Sequence, residues 1–98
     1  MTAEILRRQV RGFRLNRPRT EAQLVFEAGI WHFRSDGHAH WWRAGGAPPK
    51  APLQAFWLVP ERRLLVVVFA DGSALLARKT WLGPRIRARP SAPEGPGR

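Results

Sequence analysis

The side chains best suited to chemistry in this sequence are arginines. Fifteen of its seventeen basic residues are Arg, and only Lys50 and Lys79 are Lys. A guanidinium keeps its charge at any accessible pH and presents a planar fork of donors that grips phosphate bidentately. Residues 1–19 carry Arg7, Arg8, Arg11, Arg14, Arg17 and Arg19 against Glu4, a net charge of +5. Residues 20–77 hold five bases and five acids and are neutral. Residues 78–98 carry Arg78, Lys79, Arg85, Arg87, Arg89 and Arg98 against Glu94, again +5. A GC-rich genome also favours Arg, but codon bias alone would not leave the middle of the chain neutral. Excess charge confined to two segments is the electrostatic footprint of a polyanion binder. The sequence therefore predicts nucleic-acid binding, DNA or RNA, mainly through phosphates, by Arg7, Arg8, Arg11, Arg14, Arg17, Arg19, Arg78, Lys79, Arg85, Arg87 and Arg89.

Aromatic residues are the second candidate set, because an unpaired base stacks on an exposed indole. Trp31, Trp41 and Trp42 are the residues expected to stack, although core packing is the commoner use of Trp. Adjacent Trp41 and Trp42 on one strand face opposite sides. Histidines form the third set. His38 and His40, one residue apart, share a strand face, and His32 can join them across a hairpin. No thiolate or carboxylate stands at ligand spacing, so no metal site and no cofactor is expected. The same histidines beside Arg would suit general acid/base cleavage of RNA without a metal. The expectation is nevertheless a protein without catalytic residues. A small ribonuclease and a protein-interaction or assembly subunit are the competing readings.

Two stretches resemble parts of known families. Arg63 to Gly72, continuing at Ala77 to Thr80, resembles the strand pair ending small bacterial ribonuclease toxins, but the helices expected around that pair are missing. Arg7 and Arg11 have the RxxxR spacing of PilZ domains that bind cyclic dinucleotides, and Asp71-Gly72-Ser73 is similar to the start of their second motif. Leu76 stands where that motif needs glycine, and the two pieces lie 60 residues apart. No family is assigned.

These residues need elements to position them. A chain of 98 residues supports one small domain. Without cysteine there is no disulfide framework and no thiolate nucleophile, so stability rests on the apolar core. Leu64 to Ala70 is the longest apolar run, seven residues against the roughly 20 a transmembrane helix requires. Residues 1–20 hold no signal-peptide core. The expectation is a soluble, cytoplasmic protein without membrane partners, with a protein partner or a homo-oligomer left open.

Leu6, Val10 and Phe13 recur at helical spacing with Arg7, Arg11 and Arg14 on the adjacent face, which predicts an amphipathic helix over 4–15. Residues 20–29 fit a helix or a strand, and the strand is favoured. Asp36-Gly37 reads as the turn of a hairpin spanning 23–43. Three prolines and a glycine pair make 44–52 a loop. A three-stranded meander over 54–82 follows, with turns at 60–62 and 71–72. Its middle strand is apolar on both faces and has to be covered on both. From Pro84 the chain is poor in apolar residues and rich in proline, which predicts a disordered basic tail over 84–98. The fold class is thus mainly β (α+β), a helix with a small antiparallel sheet or partly open barrel, in one domain spanning 1–83.

Overall fold

A computed structural model describes residues 2–43 and 53–90. One short helix, α1 (Thr2–Gln9), precedes eight strands: β1 (Val10–Leu15), β2 (Glu21–Phe26), β3 (Gly29–Arg34), β4 (Ala39–Arg43), β5 (Leu53–Val59), β6 (Leu64–Phe69), β7 (Ala74–Thr80) and β8 (Gly83–Arg89). They form two antiparallel four-stranded meanders, β1-β2-β3-β4 and β5-β6-β7-β8. The protein is mainly β, and neither sheet closes into a barrel.

Period-two alternation makes the two sheets stick face to face. Ala22, Leu24 and Phe26 of β2 and Trp31 and Phe33 of β3 point inward and are buried. Leu65, Val67 and Phe69 of β6, with Leu75 and Ala77 of β7, face them in the same core cluster. Aromatic rings bridge the layers. Phe33 meets Phe56 edge-on at 5.1 Å between centroids, and Trp31 lies 6.3 Å from Phe69. Each such pair adds about 0.5–1.5 kcal/mol beyond the area it buries. β6 is central and buried on both faces, as its composition requires: Val66 and Val68 pack outside with Trp57, Leu64 and Leu76.

The helix covers the inner side of β7 and β8, burying Ala3 and Leu6. Its first amide groups find acceptors 70 residues downstream. Thr2 N–H donates to Asp71 Oδ2 at 2.9 Å, and Ala3 N–H to Ser73 Oγ at 3.1 Å. Asp71 in turn accepts from Ser73 N–H and Oγ–H. These bonds satisfy donors that a helix start leaves orphaned. Asp71-Gly72-Ser73 is thus a remote helix cap. Ser73 foremost, with Thr2, holds the Asp71 carboxyl well below its ordinary range.

Three expectations are corrected. The helix ends at Gln9 rather than at residue 15, and residues 10–15 form β1. The register against β2 slips between Val10 and Gly12, leaving Arg11 as a bulge. That extra residue puts Val10 and Phe13, three apart, on the same inner side, a spacing that imitates a helix turn. Secondly, the segment 23–43 is two hairpins rather than one, β2–β3 and β3–β4. The β3–β4 turn closes through Arg34 and His38, with Gly37 at φ 96°. Thirdly, the tail predicted to be disordered from Pro84 begins as β8, fully paired with β7 from Thr80↔Gly83 to Ala74↔Arg89. Pro84 is tolerated because β8 is an edge strand, and Ile86 and Ala88 pack against the core. The predicted loop 44–52 and the rest of the tail beyond residue 90 lie outside the described residues.

Candidate nucleic-acid interface

Ladder register on the second sheet decides which cations meet. Arg85, Arg87 and Arg89 alternate with Ile86 and Ala88, so inward packing of the apolar pair turns all three arginines to the outer face. Arg85 stands opposite Arg78, Arg87 opposite Leu76 and Arg89 opposite Ala74. One strand further, Arg78 pairs with Leu64, at the end of the turn that carries Arg62. Arg62, Arg78, Arg85, Arg87 and Arg89 rim a depression of about 240 Å³ with Leu64 and Leu76. All five arginines are exposed. Among the described residues, none of the five has a carboxylate partner. Like charges directly across a ladder destabilise a sheet, so folding alone gives no reason for Arg78 to face Arg85.

The N-terminal arginines differ. Arg7 donates through Nε and Nη2 to Glu4, and Arg8 Nε lies 3.5 Å from the same carboxylate. The bond from Arg7 is the main reason the Glu4 carboxyl is lowered and the Arg7 guanidinium raised. Arg11 Nη2 lies 3.7 Å from Glu27. Since β1 is a strand, Arg7, Arg11 and Arg14 do not share a helical face, which corrects that expectation. Arg14 is exposed on β1, and Arg17 is exposed in the following turn. Arg19, at a left-handed φ of 60°, donates from Nη1 to Pro60 O at 2.9 Å. That bond carries it across to the second sheet. There Arg19, Glu61, Arg62, Arg63, Lys79 and Trp81 line a second depression of about 340 Å³. Arg63 also takes a left-handed φ, 52°, and its carbonyl accepts from Lys79 N–H.

The three tryptophans expected to stack lie in different surroundings. Trp31 is 8% exposed, packed between Phe33 and Phe69, and has no face to offer a base. Trp41 is half-buried against Phe26 at 5.7 Å, and its indole N–H is buried with no hydrogen-bond partner among the described residues. The side chain of Trp42 lies outside the described residues. Among the described residues the solvated indole is Trp81, 88% exposed beside Leu82 at 71%. A last strand expected to run through residue 82 hides it; the signal that could find it is Gly83, which ends the turn at the edge of the basic segment.

His32 and His40 are direct cross-strand partners on the outer face of the first sheet. His32 Nε2 lies 3.5 Å from Glu21 Oε1, and Arg14, Glu21, Gln23 and His32 line a depression of about 210 Å³. His38 belongs to the turn, where its Nδ1 lies 2.9 Å from Asp36 Oδ1. That contact, chiefly, keeps the Asp36 carboxyl low. Among the described residues there is no group of three or more metal-ligating side chains. Nor is any helix there long and apolar enough to cross a membrane. No family model, no curated protein and no solved structure matches this chain.

Proposed function

We propose that this is a small cytoplasmic nucleic-acid-binding protein that grips phosphates with the outer face of β7 and β8. The observation that carries the reading is the convergence of Arg62, Arg78, Arg85, Arg87 and Arg89, exposed and without carboxylate partners among the described residues. Each guanidinium bound to a phosphate releases condensed counterions, which supplies affinity without base-specific contacts. The N-terminal arginines are secondary, because Glu4 and Glu27 already compensate Arg7, Arg8 and Arg11. Arg14 and Arg17 sit on the other sheet or its turn. Electrophoretic mobility shift on single-stranded DNA, duplex DNA and RNA across a salt series tests the reading. Retention that weakens steeply with salt supports it; absence of any shift at low salt refutes it.

A second reading has an observation of its own. The Glu21–His32 contact beside Arg14, with His40 across the ladder, joins a proton acceptor, a proton donor and a phosphate-binding cation on one face. That set suits metal-independent cleavage of RNA. Cleavage on the same gels, abolished by His32→Gln, would assign the protein to that class; intact RNA throughout rejects it.

A further inference from the structure

The turn between β7 and β8 holds an aromatic side chain that the fold does not use. Thr80↔Gly83 closes the hairpin, leaving Trp81 and Leu82 at its tip. The turn is fixed by other groups. Thr80 Oγ donates to Gly83 O at 2.7 Å and accepts from Leu82 N–H at 3.2 Å, while Gly83 adopts φ 121°. None of these bonds involves the indole, and polar residues would serve the turn as well. Trp81 and Leu82 together make an exposed apolar tip, and its position beside cations is the informative feature. One side of the tip opens on a depression in which Arg19, Arg62, Arg63, Arg78 and Lys79 outnumber the one acid, Glu61. From the other, β8 leads away with Arg85, Arg87 and Arg89 on its outer face.

We infer that Trp81 is a stacking platform for an unpaired base, and that the β7–β8 hairpin makes the protein selective for single-stranded nucleic acid. This rests on the nucleic-acid reading above and adds strandedness to it. Bases inside a duplex are already stacked and paired, whereas a single strand can lay a base on an indole while its phosphates meet cations. Strand geometry matches such a ligand. Alternate residues of β8 repeat at about 6.7 Å, close to the rise of two stacked nucleotides of one strand. The path from Gly83 to Arg89 is about 20 Å long, enough for about six nucleotides. A lipid surface would instead need more apolar insertion than one Trp and one Leu provide, and β8 gives it no reason for a linear arginine row.

The test measures binding of the intact protein to a fluorescent oligothymidylate of about ten nucleotides, to a duplex of equal length, and to vesicles of mixed neutral and anionic phospholipid. Trp81→Ala should weaken single-strand binding about 5- to 150-fold, leave duplex binding and the salt slope unchanged, and keep the parent melting temperature. Trp81→Phe should recover most of the affinity. Quenching of indole emission by the oligonucleotide should disappear in large part with Trp81. Unchanged single-strand affinity in Trp81→Ala, or an equal loss on duplex, overturns the inference while leaving phosphate binding intact. Vesicle binding that depends on Trp81, with single-strand binding unaffected, overturns it in favour of a membrane contact. If the parent protein binds neither oligonucleotide at low salt, the underlying nucleic-acid reading fails first.

Discussion

The guanidinium of Arg19 donates to the carbonyl oxygen of Pro60 across 2.9 Å, tying the β1–β2 turn of one sheet to the β5–β6 turn of the other. The bond joins residues 41 positions apart, and it carries a cation of the N-terminal segment to the cluster on the second sheet. Arg19→Ala should therefore act on two observables. Binding should weaken modestly, with a salt slope flatter by up to about one unit, because one phosphate contact is lost. Stability should fall by no more than about 1 kcal/mol, the net worth of an exposed hydrogen bond, as read from chemical denaturation.

The core is the firmest energetic feature. Phe33 is fully buried and bridges the sheets through Phe56. Phe33→Ala should cost about 3–5 kcal/mol and lower the melting temperature by about 12 °C or more in calorimetry.

β8 is part of that core despite its composition. A chain ending at Leu82 loses Ile86 and Ala88 from the cluster and leaves β7 as an unpaired edge next to a buried Leu75. It should be destabilised by about 3 kcal/mol or more, and it should aggregate on heating. Unchanged melting of the truncated protein would show that β8 contributes nothing to the fold.

Acid sensitivity should be traceable to the helix cap. Asp71 has a folded-state carboxyl depressed below its ordinary value of about 3.9 by Ser73 and Thr2. A depressed acid stabilises the fold fully above the unfolded value, and that contribution is lost as pH falls below it toward the folded value. Asp71→Asn should thus melt lower than the parent at neutral pH, and the difference should shrink steadily below about pH 4. Parallel melting curves for the two proteins from neutral to acid pH would contradict the cap.

What could be read from the sequence follows from local pattern. Leu64 to Phe69 announces a central strand because both faces are apolar, and Asp36-Gly37 marks its hairpin by turn chemistry alone. β1 was misread because the bulge at Arg11 shifts the side-chain parity, so Val10 and Phe13 imitate helical spacing. In β8 the alternation Arg85-Ile86-Arg87-Ala88-Arg89 was present but looked like disorder. Its inward residues are small or few, and Pro84 breaks strands everywhere except at an edge. The charge count by segment places the basic excess in residues 1–19 and 78–98. Which arginines keep free guanidiniums depends on Glu4 and Glu27, contacts set by tertiary structure and invisible to a count by segment. Trp31 is buried because β3 turns that side chain toward the opposing sheet, whereas Trp81 is exposed because it lies at the tip of the β7–β8 turn.

If phosphates are held by the β8 face rather than by the N-terminal helix, two triple variants should differ in the salt slope of single-strand binding. Replacing Arg85, Arg87 and Arg89 with Gln should flatten the plot of log affinity against log salt by up to about three units while the fold, followed by melting, survives. Replacing Arg7, Arg8 and Arg11 with Gln should change the slope by less than about one unit, since Glu4 and Glu27 already pair with them. The opposite ranking, or a slope that neither variant alters, would contradict the account.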